Sequence, residues 1–243
     1  MTSRPEIPAS AGMTGFARAA PILETPRLRL RGYRASDLDP QWASMSDAGV
    51  VRFLGGLPQS REETWRKILG SPGLWALLGY GYWVAERLED GAYLGQIGFA
   101  DFKREMSPSI EGIPEMGWIM TPQAQGQGYA TEAVLAALAW ADETLGGGEI
   151  VAIISRDNAP SIRVAEKAGF GVREEATYKG EPILLFRRPA RLPGPEPSAR
   201  RRPGSMNRSV RGFQPPCSWI PAFTGMTNSE KSQPRRRRLR TTS

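Results

Sequence analysis

The segment EMGWIMTPQAQGQGYATEA, residues 115–133, predicts a strand, a glycine loop and a helix in direct succession. A short apolar run ends at Met120, the loop contains Gly126 and Gly128, and an alanine-rich amphipathic stretch begins at Tyr129. Backbone N–H groups at the start of a helix lack partners within the helix, and the helix dipole adds positive potential there. Glycines let a bulky anion approach the main chain. The segment therefore predicts a phosphate-binding loop.

Two familiar nucleotide-binding motifs fit this loop badly. A Walker loop requires a Gly-Lys pair, and the chain contains none. The dinucleotide fingerprint requires a third glycine or alanine, but Thr131 stands at that position. It also requires an acidic residue after the next strand, whereas the apolar run 150–154 is followed by Ser155. A different class of phosphate-containing ligand is therefore expected.

The order of motifs resembles the GNAT acetyltransferase superfamily, whose loop reads Gln/Arg-x-x-Gly-x-Gly/Ala and here begins at Gln123. The Gly-Tyr-Ala-Thr-Glu-Ala run after Pro122 is most similar to the RimJ/RimL branch. Three more stretches resemble parts of that family, namely its first strand (25–31), its third strand (94–99) and its last helix (158–170). The resemblance covers about residues 22–190, which is far more than a single motif.

Hydrophobic periodicity places further elements along the chain. Strands are predicted at 28–33, 82–88, 93–102, 116–120, 150–154, 173–178 and 182–187. Helices are predicted after Ser36-Asp37, over 60–69, and after each of the two loops ending at Gly128 and Asn158. The expected fold class is α/β (α+β). It comprises a single GNAT-like domain with a mixed, mostly antiparallel sheet flanked by helices, and disordered N- and C-terminal extensions.

Charge is distributed unevenly along the chain. Residues 22–186 contain 16 basic and 22 acidic side chains, whereas residues 187–243 contain 14 basic and 2 acidic ones. We therefore predict disordered extensions at 1–21 and at 191–243, around one folded domain at 22–190. The Pro/Arg-rich tail has two interpretations, a solvated appendage or a segment that binds nucleic acid through phosphate contacts. The first is favoured, and nucleic acid is not an expected partner, because no aromatic platform accompanies the charge.

Missing residue types exclude several kinds of chemistry. The chain has no histidine and one cysteine, Cys217. Ser-His-Asp and Cys-His catalysis are therefore excluded, as are metal sites built from histidines or cysteine clusters, and no metal is predicted. No apolar run approaches the ~18 residues that cross a bilayer, and the first residues lack a secretory apolar segment. The expectation is a cytoplasmic protein without a membrane partner.

The resemblance implies acetyl-CoA as co-substrate and direct transfer to a primary amine, with no covalent enzyme intermediate. It places the cofactor's pantetheine arm along the strand and its pyrophosphate against the loop. Asn158 and Ser161 of the last helix match family positions that meet the pantetheine and distal parts of the cofactor. The implied cofactor residues are Ile119, Met120, Gln125, Gly126, Gln127, Gly128, Tyr129, Ala130, Thr131, Asn158 and Ser161. Alternatively, the glycines only permit a tight turn, and Asn158 only caps a helix.

Glu115 matches the position at which many GNAT enzymes carry a general base. The attacking amine must be neutral, and a carboxylate acting through water can remove its proton. A solvated carboxylate at a strand end is the alternative interpretation. A backbone N–H near Ile119 or Met120 could stabilise the oxyanion. Many relatives supply a tyrosine where this chain has Ala165, which leaves Tyr129, Tyr178 or solvent to protonate the departing thiolate.

The leading functional prediction is thus an N-acetyltransferase whose acceptor is a small molecule or a peptide amine. A protein N-terminus, a free amino acid, a polyamine and an aminoglycoside-like amine all remain open. The alternative is a non-catalytic acyl-CoA-binding or sensor domain, which the missing tyrosine favours. A homodimer is compatible with either function.

Overall fold

The structure is a computed structural model that describes residues 19–191, so most of the two predicted extensions lies outside the described residues. The strands are β1 (Leu23–Glu24), β2 (Leu28–Arg31), β3 (Tyr82–Arg87), β4 (Tyr93–Ala100), β5 (Met106–Ser107), β6 (Glu115–Met120), β7 (Ile150–Ile154), β8 (Val172–Tyr178) and β9 (Glu181–Arg188). The α-helices are α1 (Leu38–Ser46), α2 (Ala48–Val51), α3 (Arg61–Leu78), α4 (Tyr129–Thr144) and α5 (Ala159–Lys167).

The described strands form a single nine-stranded sheet in the order β1-β2-β3-β4-β6-β7-β9-β8-β5. Neighbouring strands are antiparallel, except that β6 and β7 run parallel. The parallel pair requires a crossover, and α4 supplies it. The predicted fold class is confirmed: a mixed, mostly antiparallel sheet flanked by helices.

The main hydrophobic core lies between the sheet and α4. The helix buries the alanine and aliphatic face that its sequence period predicts, at Ala133, Val134, Ala137, Leu138 and Ala141. Small side chains on this face let the helix approach the strands closely. Trp83 and Phe99 of the sheet are fully buried beneath it.

Helix α3 begins where its sequence signal predicts and ends later. Ser60 Oγ accepts from the N–H of Glu63 at 3.1 Å, and Glu63 Oε2 accepts from the N–H of Ser60 at 2.7 Å. This reciprocal pair is the predicted capping box. The helix then continues past Pro72 to Leu78 rather than ending near residue 69. Burial of Trp75, whose ring lies 4.7 Å from that of Trp83, offsets the poor local helix propensity.

Other boundaries differ by only a few residues. Strand β2 ends at Arg31 instead of residue 33, because Arg31 turns to pair with Asp37 and the chain enters a 3₁₀ turn. The short elements β1, β5 and α2 were not predicted, since two to four residues are too few to show a period. Within the described part of the chain, none of the helices combines the length and apolarity needed to cross a bilayer.

Candidate functional site

The site begins at a gap between the two parallel strands. Strands β6 and β7 pair only where Glu115 lies opposite Val151, with the Val151 N–H donating to Pro114 O at 3.1 Å. Beyond that point β6 stays paired with β4 on one side, up to Met120 opposite Gly95. Its other edge, toward β7, has no strand partner within residues 19–191. An extended ligand can therefore add itself to this edge.

Backbone direction decides which groups of β6 face the gap. The Thr121 N–H donates to Leu94 O of β4 at 2.9 Å, so the odd-numbered residues of this strand direct their backbone groups toward β4. The even-numbered Trp118 and Met120 consequently face β7. Met120 O already accepts from Gln125 Nε2 at 3.2 Å, which ties the loop to the strand end. Of the two predicted residues, the Met120 N–H faces the gap, whereas the Ile119 N–H belongs to the ladder with β4.

The glycine loop follows this strand end directly. A 3₁₀ turn at Pro122–Ala124 leads into Gly126 (φ 75°) and Gly128 (φ 81°), and α4 begins at Tyr129. Both glycines lie in the left-handed region, where a side chain adds strain. No atom of the described part of the chain lies within 4 Å of a Cβ built on Gly126, so these residues leave the space above it open.

The loop has the donors that an anionic group requires. Within residues 19–191, we find no acceptor for the N–H groups of Gly126, Gln127 and Gly128. Tyr129, Ala130 and Thr131 add the first-turn N–H groups of α4, which have no partner within the helix. Residues 125–128 are exposed to solvent. The residues present therefore fit a pyrophosphate at this loop and an extended arm along the edge of β6.

Asn158 and Ser161 lie at the start of α5, directly after β7. Asn158 Oδ1 accepts from the Ser161 N–H at 3.2 Å, so the asparagine caps the helix. The cap uses only its carbonyl oxygen and leaves the amide N–H₂ to donate elsewhere. Pro160 occupies the first turn, as its fixed φ favours. Ala165, where many relatives have a tyrosine, is fully buried in the main core.

Glu115 is a buried, paired carboxylate rather than a solvated one. Its oxygens accept from Arg104 Nε at 2.5 Å and Arg104 Nη2 at 2.8 Å. Arg104 Nη1 also donates to the Tyr178 hydroxyl at 2.8 Å, and the guanidinium lies 4.8 Å from the ring centroids of both Phe102 and Tyr178. The fork uses one lone pair on each carboxylate oxygen and leaves the others to accept a proton. The side chain of Glu115 is thus held rigidly by Arg104.

A third tyrosine, Tyr82, also reaches strand β6. The Tyr82 hydroxyl lies over Gly117 in the middle of β6. Burial raises the pKa of Tyr82 above its usual value, and the nearby charge of Glu115 raises it further. Tyr129, by contrast, is buried beneath the guanidinium of Arg27, 4.4 Å from its ring.

Sequence reasoning missed Arg104 and Tyr82. Arg104 lies in the loop after β4, where nothing in the local pattern distinguishes it from the neighbouring charged residues 101, 103 and 105. Gly98 of β4 lies between Tyr82 of β3 and Gly117 of β6. Tyr82 reaches β6 because Gly98 has no side chain. The one available signal was the pair of glycines, Gly98 and Gly117, at equivalent positions of adjacent strands. Within the described residues no cluster of three or more metal-ligating side chains is found.

Comparison with known proteins agrees with this geometry. A family model of the acetyltransferase (GNAT) domain matches residues 27–171. The uncharacterized protein YkkB of Bacillus subtilis is 29% identical over 173 residues, which cover 68% of this chain and 94% of YkkB. A putative GnaT-family acetyltransferase from Bordetella pertussis is 28% identical, with a TM-score of 0.62 over 70% of this chain and 99% of its own.

Two structures solved with coenzyme A share the fold at lower identity. RimL, a ribosomal L7/L12 alpha-N-protein acetyltransferase, is 17% identical, with a TM-score of 0.57 over 70% of this chain and 98% of its own. The spermidine N-acetyltransferase of Vibrio cholerae, solved with CoA and spermine, is 19% identical, with a TM-score of 0.53 over 67% and 95%. The family match extends over more than half of the chain, from the start of β2 to the end of α5. The chain therefore belongs to the GNAT acetyltransferase family.

Proposed function

We propose that this protein is an N-acetyltransferase that transfers acetyl from acetyl-CoA directly to a primary amine. One observation carries the proposal: the unpaired edge of β6 runs straight into a loop whose N–H groups have no acceptor within the described chain. The edge suits an extended amide-containing arm, and the loop suits a pyrophosphate. Acetyl-CoA is a ligand in which these two parts are joined, and it supplies the activated thioester.

The residues divide the work of binding. The loop residues, from Gln125 to Thr131, hold the pyrophosphate through backbone N–H groups. Trp118 and Met120 present backbone groups to the pantetheine arm, and Ile119 completes the strand. Asn158 and Ser161 contact the cofactor from the β7 side of the gap, the asparagine through its free amide N–H₂. The Met120 N–H, which faces the gap, is the donor best directed to stabilise a developing oxyanion.

The acceptor amine approaches from the sheet face opposite α4, because the core fills the other face. Glu115 and Gly117 lie on this face, with the Tyr82 hydroxyl over Gly117. The amine attacks the thioester carbonyl, the C–N bond forms and the C–S bond breaks. One amine proton passes through water to Glu115, which Arg104 holds in place. The departing thiolate takes a proton from solvent or from the Tyr178 or Tyr82 hydroxyl.

Two acceptor classes remain in the proposal, a protein N-terminus and a small amine. The name of RimL indicates an α-amino group of a ribosomal protein, and the Vibrio cholerae structure contains spermine. Both proteins share only the fold with this chain, so they illustrate what the fold accommodates. A non-catalytic acyl-CoA sensor is the second candidate function. The observation that favours it is the bidentate Arg104–Glu115 pair, which engages the predicted base.

Calorimetric titration of CoA into the full chain tests the cofactor site. Gly128→Glu introduces a side chain and a negative charge into the loop, and we expect it to abolish binding. Gly91→Glu is the matched control, because Gly91 has a similar φ of 73° in open space in the β3–β4 turn. If the folded wild-type chain fails to bind CoA, the proposal is wrong.

Turnover then separates the enzyme from the sensor. Release of free thiol from acetyl-CoA is followed with peptides that have free N-termini, amino acids, a polyamine and an aminoglycoside. Amine-dependent release by wild type, lost in Gly128→Glu, supports the transferase. CoA binding without release for any amine supports the sensor.

A further inference from the structure

The segment that precedes β2 is bonded to the first turn of α4. Arg27 contacts Glu132 three times, from its backbone N–H to Oε1 (3.1 Å), from Nε to Oε2 (2.7 Å) and from Nη2 to Oε2 (2.6 Å). Thr25 Oγ1 also donates to Glu132 Oε1, at 2.7 Å. Arg27 Nη1 donates to the carbonyl of Gln127 at 3.1 Å. One guanidinium thus spans the second half of the glycine loop.

The contact with Gln127 fixes the orientation of one peptide unit. A peptide group is planar and trans, so the carbonyl of Gln127 and the N–H of Gly128 point in opposite directions. With the carbonyl held by Arg27, the Gly128 N–H points away from Arg27 and into the loop. A glycine at φ 81° tolerates rotation of this unit easily. Rotation would replace a donor with a carbonyl oxygen at the surface where an anion is to bind.

The negative charge of Glu132 is unfavourable for a site that binds an anion. A carboxylate in the first turn of a helix interacts well with the helix dipole, but it repels an anion that binds at the same end. Burial raises the pKa of Glu132, yet hydrogen bonds from Thr25 and Arg27 outweigh burial and the net shift is downward. Glu132 is therefore charged at neutral pH. Its contacts are those of an anchor for Arg27, beneath which Tyr129 packs at 4.4 Å.

We propose that Arg27 is a positioning residue of the cofactor site, which locks the Gln127–Gly128 peptide and thereby sets the loop N–H groups for the pyrophosphate of acetyl-CoA. Glu132 and Thr25 hold Arg27 in the orientation that does this. The inference rests on the proposed function, because it assigns a role within the same site. It extends that site to a segment about 100 residues earlier in the chain.

The experiment compares CoA with pantetheine, which has no phosphate, by titration into the full chain. Arg27→Gln should weaken CoA binding by about tenfold, equivalent to about 1.4 kcal/mol at 25 °C. It should change pantetheine binding less than about twofold, since the strand edge is untouched. Arg27→Lys keeps the charge and loses the fork, so it should behave more like Arg27→Gln than like wild type.

The direction of the Glu132→Gln effect distinguishes positioning from simple charge. Removal of a negative charge beside a phosphate site should tighten CoA binding if Glu132 acts only through its field. If Glu132 anchors Arg27, the same change should weaken CoA binding several-fold. Arg27→Gln and Glu132→Gln combined should then weaken binding hardly more than Arg27→Gln alone, because both act through one contact. Tighter binding in Glu132→Gln overturns the proposal.

Arg29→Gln is the control for loss of a nearby arginine, because Arg29 pairs with Glu24 and Glu86 and does not contact the loop. Its CoA affinity should equal that of wild type. Melting temperatures identify variants that are merely less stable. An Arg27→Gln protein that melts earlier yet binds CoA with wild-type affinity shows a structural role only and overturns the inference. Wild-type protein that binds neither ligand overturns the proposed function itself, and the inference with it.

Discussion

The hydroxyl oxygen of Tyr82 lies 2.5 Å from the point where a Cβ on Gly117 would stand. Tyr82 on β3 and Gly117 on β6 are both in register with Gly98 of β4, so the phenol lies across a strand with no side chain at that position. The hydroxyl therefore reaches the strand that borders the gap. It occupies a space that exists because position 117 is a glycine.

Gly117→Ala should displace the Tyr82 hydroxyl and reduce turnover. Tyr82→Phe removes the hydroxyl alone, and we expect it to reduce turnover about tenfold, the value of one hydrogen bond of about 1.4 kcal/mol. CoA affinity should be unchanged in both variants, because neither residue belongs to the loop and the backbone groups of Gly117 face β4 rather than the gap. Thiol release at saturating acetyl-CoA is the measurement. Wild-type turnover in Tyr82→Phe would show that the hydroxyl has no part in transfer.

Turnover should rise with pH and should show no decline caused by ionisation of Tyr82. A neutral amine is the attacking species, so the rate should increase as pH approaches the pKa of the acceptor. Burial, with the charge of Glu115, raises the pKa of Tyr82 above its usual value, so the hydroxyl keeps its proton in this range. Rates measured from about pH 7 to about pH 10.5 should therefore show no decline due to Tyr82. A decline near pH 10 that disappears in Tyr82→Phe would contradict this.

Arg104→Ala should destabilise the protein strongly. It leaves the Glu115 carboxylate, 6% exposed, buried without its cation. Breaking one side of such a pair costs about 3 kcal/mol, whereas replacing both Arg104 and Glu115 by methionine should cost much less. Urea unfolding measures both differences. The exposed pair of Arg61 and Asp39 is the control, and Asp39→Asn should leave the unfolding midpoint unchanged. Equal midpoints for Arg104→Ala and wild type would mean that the pair contributes nothing.

Acid should weaken the link between α4 and β9. Arg188 holds both oxygens of Asp142, at 2.8 and 2.7 Å, and lowers the pKa of Asp142 against the opposing effect of burial. A carboxyl whose folded pKa lies below its unfolded value stabilises the fold fully above the unfolded value, about 3.9. That contribution is lost as pH falls through the folded value. Urea unfolding between about pH 6 and pH 3 should show a smaller loss of stability in Asp142→Asn than in wild type.

The parts of this protein that were predicted from sequence depend on local patterns. The strand, loop and helix around Gly126 and Gly128 each follow from composition and period within a few residues, and so does the capping box at Ser60. The end of α3 was predicted too early, because Gly70 and Pro72 are local stop signals. Burial of Trp75 overrides them, and burial is a property of the whole fold.

The site chemistry depends on contacts that no local pattern contains. The approach of Tyr82 to Gly117 requires two strand registers, including the irregularity of the β3–β4 pairing between Ala85 and Glu86. Arg104, in the loop after β4, donates a hydrogen bond to Glu115 at the start of β6. Arg27 belongs to the first-strand motif, but its contact with Gln127 joins residues that lie 100 positions apart in the sequence. The predicted roles of the loop residues, Asn158, Ser161 and Glu115 remain predictions, and the CoA titrations test that of the loop.

The gap between β6 and β7 also leaves a line of weak strand pairing within the sheet. Strand β6 pairs along its length with β4, and β7 with β9, yet among the described strands the two halves of the sheet meet through a single residue pair, Glu115 and Val151. We therefore expect the sheet to separate most easily in its middle, between β6 and β7, rather than at an outer strand. A molecule that hydrogen-bonds to both β6 and β7 would hold the two halves of the sheet together. Its binding should therefore stiffen the whole domain rather than one loop.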